Sequence, residues 1–111
     1  MVTISHQTGL FLTDRRNRRR LTSLASGYKC DTYSMKSVSL AIDQSEVILF
    51  TKIFVAAFDR PTLIRIGNES GVTVDLTVNG VVSLPMAGSV EIINPITATI
   101  QEPLLVTYIA G

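Results

Sequence analysis

The chain has 111 residues, with 10 Lys and Arg against 9 Asp and Glu, one His and one Cys. That is the size of one domain, and its 46% of apolar residues can build a core without help from metal or disulfide. The lone Cys30 excludes an intrachain disulfide framework, and the single His6 excludes two-His metal sites, a metal-loaded barrel of the cupin type among them.

The chain opens on a charge imbalance. Residues 1–30 hold six basic side chains and one acid, residues 31–111 four basic and eight acidic, so a segment of +5 precedes a body of −4. The start, Met1-Val2-Thr3-Ile4-Ser5-His6, lacks the basic and then apolar order of a secretory signal. This points to the cytoplasm, or to something assembled there. The stretch Asp14-Arg15-Arg16-Asn17-Arg18-Arg19-Arg20 is the strongest local feature. No polar cap followed by apolar residues at i, i+3, i+4 and i+7 marks a helix, so residues 1–30 are expected to form an extended basic arm and lead-in, ahead of a β-rich body over 31–111.

In the body, Val38, Leu40 and Ile42 alternate with polar or small residues as a half-buried strand does. The β-branched and aromatic run over 46–58 predicts strands buried on both faces. Thr51-Lys52 interrupts it and Asp59-Arg60-Pro61 closes it, well short of the ~20 apolar residues of a membrane-spanning helix. Leu63-Ile64-Arg65-Ile66 should pair with residues 72–78 across the Gly67 to Gly71 loop. Asn79-Gly80 suits a type I′ turn, which predicts a hairpin over 72–84. Shorter strands are expected over 90–93, 96–100 and 104–109, separated by Asn94-Pro95 and Glu102-Pro103. Turn signals about every ten residues indicate an all-β chain, a small antiparallel β-sandwich or jelly-roll-like barrel.

Chemistry is sparse. The carboxylates lie singly in turns or on polar strand faces, no nucleophile elbow occurs, and Gly67 and Gly71 are turn glycines rather than a phosphate loop, since no Lys-Ser/Thr follows. The chain is therefore expected to be no enzyme and to need no cofactor or metal. What remains is the arginine run, Arg15, Arg16, Arg18, Arg19 and Arg20, as a partner-binding site. It has three readings: a solvated or self-docked loop, an arm on nucleic acid, or an arm on an acidic protein surface. The acidic remainder and the absence of basic residues interleaved with aromatics favour a protein surface over nucleic acid. The apolar run over 47–58 must also be covered, inside the sandwich or at a subunit contact, which fits a homo-oligomer.

Residues 62–111 carry strand-turn phrases: Leu63-Ile64-Arg65-Ile66-Gly67-Asn68, then Val72-Thr73-Val74-Asp75-Leu76-Thr77-Val78-Asn79-Gly80, then Leu84-Pro85-Met86-Ala87-Gly88-Ser89-Val90-Glu91-Ile92-Ile93-Asn94-Pro95. In style this half of the chain resembles the small β-sandwich structural proteins of tailed-bacteriophage virions. The resemblance implies a decoration or cement protein, a head–tail joining protein, or a fibre or collar module. Such a protein would be non-enzymatic and multimeric, assembled in the host cytoplasm into a virion, and would grip copies of itself and other virion proteins through its terminal arm. The alternative is a small nucleic-acid-binding β module that uses the arginines.

Overall fold

The computed structural model describes residues 2–98 and 101–111, with side chains from residue 15 onward. Its elements are α1 (Val2–Gly27), β1 (Ser34–Leu40), β2 (Gln44–Phe50), β3 (Phe54–Gly67), β4 (Thr73–Leu84), β5 (Gly88–Asn94) and β6 (Leu104–Ala110). All pairings are antiparallel.

The two long strands organise the fold. The first half of β3 pairs with β6, which pairs with β1, and the second half of β3 pairs with β5, which pairs with β2. β4 follows β3 along both halves. The result is two sheets, β1-β6-β3-β4 and β2-β5-β3-β4, that share their bent long strands and face each other as a nearly closed sandwich. The expected antiparallel sandwich or jelly-roll-like barrel is the fold observed.

The bend sits where the β3–β4 register shifts, with Asp59-Arg60-Pro61 bulging opposite Asn79-Gly80. Pro61 can occupy a strand only at an edge or bulge. Gly80 has φ +74°, a left-handed conformation that a side chain strains. This corrects the hairpin expected at Asn79-Gly80. β4 runs through that dipeptide, and its partner is β3 across the Gly67 to Gly71 loop. In that loop the Asn68 side chain accepts the Ser70 and Val72 amides, and Gly71 sits at φ +83°. A bulge and a type I′ turn both require positive φ, so the local signal is shared and long-range pairing chooses between them. Gly80→Val should lower stability by about 1–2 kcal/mol through backbone strain. A Cβ there would meet no atom within 4 Å, so packing adds nothing to the cost. Unchanged denaturant and thermal midpoints would show that the bend tolerates an L side chain.

The interior between the sheets holds Phe50, Phe54, Phe58, Tyr108, Ile64, Ile92, Val90 and their aliphatic neighbours. At one edge the two sheets are fastened by polar groups. The Tyr108 hydroxyl on β6 donates to Glu46 on β2 at 3.1 Å, and Lys36 on β1 lies 3.4 Å from the same carboxylate. Burial, and then the bond to Glu46, push the Tyr108 phenol up to about 12, so it stays a donor throughout the physiological range.

A second cluster lies outside the first sheet, where Ile53, Val55, Ala57 and Ile109 pack against Leu21 and Ala25 of α1. The residues 53–58 are therefore buried on both faces, as the sequence predicts for that part of the run. β2 differs, since Ile48 and Phe50 point inward while Val47 and Leu49 stand in solvent. Ile96 and Thr97 form a turn instead of the strand expected over 96–100, and residues 99 and 100 lie outside the described residues.

The largest departure from expectation is α1 itself, because the basic segment is helical rather than extended. Arginine is a good helix former, and Leu21, Leu24 and Ala25 give one apolar turn that docks on the sheet. The helix ends in a Schellman-type cap. The Lys29 amide bonds the Ser26 carbonyl, and the Cys30 amide the Ala25 carbonyl, both at 2.9 Å, with Lys29 at φ 58° and Cys30 packed in the same cluster as Ala25. A lysine holds the position where glycine is usual, which hides this stop signal in the sequence.

Candidate interaction surface

The five arginines do not act alike once they are wound on α1. Arg18 shares the docking side with Leu21 and Ala25 and donates to the Ser37 hydroxyl on β1 at 3.0 Å. Ser37 in turn lies 3.1 Å from the Thr107 hydroxyl on β6. Arg18 therefore ties the helix to the first sheet. Arg15, Arg16, Arg19 and Arg20 are exposed. At about 100° per residue they sweep roughly 140° of the helix circumference, centred opposite the buried leucine. The helix is thus apolar below and cationic above, a division the arginine run shows in sequence only when read with a period of 3.6.

Two carboxylates, Asp75 and Glu91, lie on the other side of the sandwich. On the outer face of the second sheet, Asp75, Arg65, Glu91 and Val47 stand in one row across β4, β3, β5 and β2. The Arg65 guanidinium donates to both Asp75 oxygens at 2.8 and 3.3 Å and lies 3.5 Å from Glu91. The hydrogen bond to Arg65 holds the Asp75 carboxyl below its ordinary range, and the same bond raises Arg65. With two carboxylates to one guanidinium, this face is net acidic. The exposed arginines of α1 thus lie over the first sheet, and the Asp75 and Glu91 carboxylates over the second.

Two concavities flank these surfaces. One, of about 400 Å³, lies beside the bulge between Arg60, Leu63, Thr77, Ile93 and Thr97. Arg60 there donates to the Glu102 carbonyl at 2.8 Å, a bond that holds the following loop. Nearby, the buried Asn94 amide donates to the carbonyls of Leu40 and Glu102, which joins the β1–β2 and β5–β6 connections at one end of the sandwich. The other, of about 420 Å³, lies at the end of α1 between Thr22, Lys29, Cys30 and Tyr33. The second gathers the Ser26 hydroxyl, the Cys30 thiol and the Asp31 carboxylate beside Lys29, with no histidine among its lining residues. Among the described residues no three His, Cys, Asp or Glu stand close enough to share a metal ion, and no helix is long and apolar enough to cross a membrane. His6 lies outside the described side chains.

No protein-family model and no curated protein sequence matches the chain. Solved structures do. The chain is similar to the plu4264 protein of Photorhabdus luminescens, with a TM-score of 0.50 and 15% identity over 69% of this chain and 60% of that one. It is similar to the oxalate decarboxylase of Bacillus subtilis, with a TM-score of 0.54 and 14% identity over 78% of this chain and 23% of that one. A cupin domain from Bordetella pertussis reaches 0.49 at 11% identity over 70% and 79%. The chain thus spans less than two thirds of either of the first two proteins. At such identities the likeness is one of fold, and it carries no activity with it. A single histidine limits metal ligation and not the barrel, so a cupin-like fold is compatible with it. Among the described residues, Phe50, Phe54, Phe58, Ile64 and Ile92 fill the space between the sheets with apolar groups, which offer no metal donor.

Proposed function

We propose that the chain is a non-enzymatic, multimeric structural subunit that docks the arginine face of α1 on an acidic surface of a neighbouring subunit. The observation that carries this is the arrangement of Arg15, Arg16, Arg19 and Arg20, exposed on the side of α1 away from Leu21 and Ala25. The carboxylates Asp75 and Glu91 on the far sheet supply a matching surface on another copy. Arginine suits the role, since its planar fork bonds carboxylates with two N–H groups at once. The strand-turn phrases similar to those of tailed-phage sandwich proteins support placing the assembly in a virion, as a decoration, joining or fibre component that also contacts other virion proteins.

The test replaces Arg15, Arg16, Arg19 and Arg20 together with serine and leaves Arg18 in place. Association beyond a dimer, followed by native mass spectrometry, and incorporation into particles should be lost while circular dichroism stays that of the folded protein. Higher-order association and incorporation as strong as those of the intact chain would refute the proposal. The same guanidinium face is what a phosphate backbone would meet, and salt separates the two cases. A nucleic-acid module binds random duplex DNA with a log–log salt slope of about −0.9 per phosphate neutralised. The subunit proposed here binds such DNA weakly and without that slope.

A further inference from the structure

The strand β4 is an edge along its full 12 residues, since β3 is its only ladder partner among the described residues. The other two edge strands are fastened to each other, because Lys36 of β1 meets Glu46 of β2. β4 has no such protection. It contains no lysine and no proline, and its single charged residue, Asp75, is turned to Arg65 on its own sheet. Val72, Val74 and Leu76 are 61%, 52% and 44% exposed along this edge. Val74, Leu76 and Val78 lie opposite Ile66, Ile64 and Thr62, so they share the inward face, at a rim where the sandwich leaves apolar residues in water. Natural edges of this length are blunted by charge, proline or cover.

We propose that the occupant of this edge is a second copy of the chain, paired antiparallel β4 to β4 about a two-fold axis through Leu76. The segment Val74-Asp75-Leu76-Thr77-Val78 reads the same in both directions by residue character. Centred on Leu76, the pairing sets Leu76 against its symmetry mate and each Val74 against Val78, which makes a continuous apolar row on the inward face. On the outward face each Asp75 meets a Thr77 hydroxyl, and no carboxylate meets another. An isologous contact demands that kind of self-complementarity. Nine paired residues at about 3.3 Å each give an edge about 30 Å long, and with a depth of roughly 15–20 Å the contact buries about 500 Å² per partner. The total is about 1,000 Å², the threshold for a specific interface and the size of a reversible dimer. Ladder hydrogen bonds supply affinity, as in other strand additions. The contact does not involve the arginines of α1, so it stands or falls apart from their docking.

The experiment measures the monomer–dimer equilibrium of the full chain by sedimentation, in the wild type and in Leu76→Lys, Val74→Lys and Leu49→Lys. Each Lys at the β4 edge should raise the dimer Kd at least about tenfold. Leu49→Lys, at an equally open position on the outer face of β2, should leave it unchanged. In a second arm, Leu76→Cys is oxidised. Antiparallel partners have Cα atoms about 4.5–5.5 Å apart, within the range a disulfide spans, so a covalent dimer should form that Leu49→Cys does not give. A wild-type chain that stays monomeric, a Kd indifferent to the β4 lysines, or equal cross-linking through residue 49 would each overturn the proposal. The arginine-to-serine variant should still dimerise through β4, which keeps the two contacts distinguishable.

Discussion

Replacing Phe54 with alanine is expected to cost about 3–5 kcal/mol, a large share of the ~5–15 kcal/mol that holds a domain of this size together. Phe54 is the largest of the side chains with no exposure. Its ring lies 5.4 Å from that of Phe50 and 6.0 Å from that of Tyr108, so its removal takes away two aromatic contacts as well as the buried area. The position also opens β3, between β6 on one side and β4 on the other. Collapse of the walls around the cavity would therefore have to move three strands at once, which keeps the cavity open and the cost near the upper end. Urea denaturation should show a lower midpoint with an unchanged slope. A loss below about 1 kcal/mol would mean that the two sheets close over the missing ring and that the sandwich is packed more loosely than the structure shows.

Leu21→Ala is expected to cost about 2–5 kcal/mol, and Leu21→Asp more, through a different event. Leu21 is completely buried, and with Ala25 it covers Ile53, Val55, Ala57 and Ile109 on the outside of the first sheet. Its loss leaves that patch in water. The aspartate variant should detach α1 while the interior between the sheets, which has its own cluster, remains in place. Hydrogen exchange should then speed up first in the described part of the helix, and the exposed patch should bind a hydrophobic dye and promote association. From sequence, a body folded without residues 1–20 is the natural expectation, since the segment contributes few apolar side chains. The fully buried side chains of α1 among the described residues, Leu21 and Ala25, follow that segment, so the end of α1 is a cover for the first sheet. Unchanged helix exchange in Leu21→Asp would show that the docked helix adds nothing to the stability of the sheet.

How much of this was legible beforehand follows from the range of the forces involved. Alternation in β1 and in the first half of β4, the short apolar runs of β5 and β6, the loop between β3 and β4 and the two-faced burial of residues 53–58 are written in short windows, because a strand's side chains are placed by neighbours two residues apart. The arginine run was equally visible as a cationic segment. Its geometry was not, since whether residues 15–20 coil into a helix depends on a docking partner some 30 to 90 positions away, at Ile53, Val55, Ala57 and Ile109. The same reason explains how Asn79-Gly80 passes for a hairpin turn. The dipeptide states that the chain can take positive φ, and the pairing of Phe58 with Gly80 and Thr62 with Val78 decides that it bends within one strand instead of reversing between two. Composition and periodicity thus determined the class of fold, the strands and the side chains available for contact. Tertiary structure alone decided which arginines face solvent, which carboxylates oppose them across the sandwich, and which strand edge is left open, because each of these depends on residues brought together only by long-range packing.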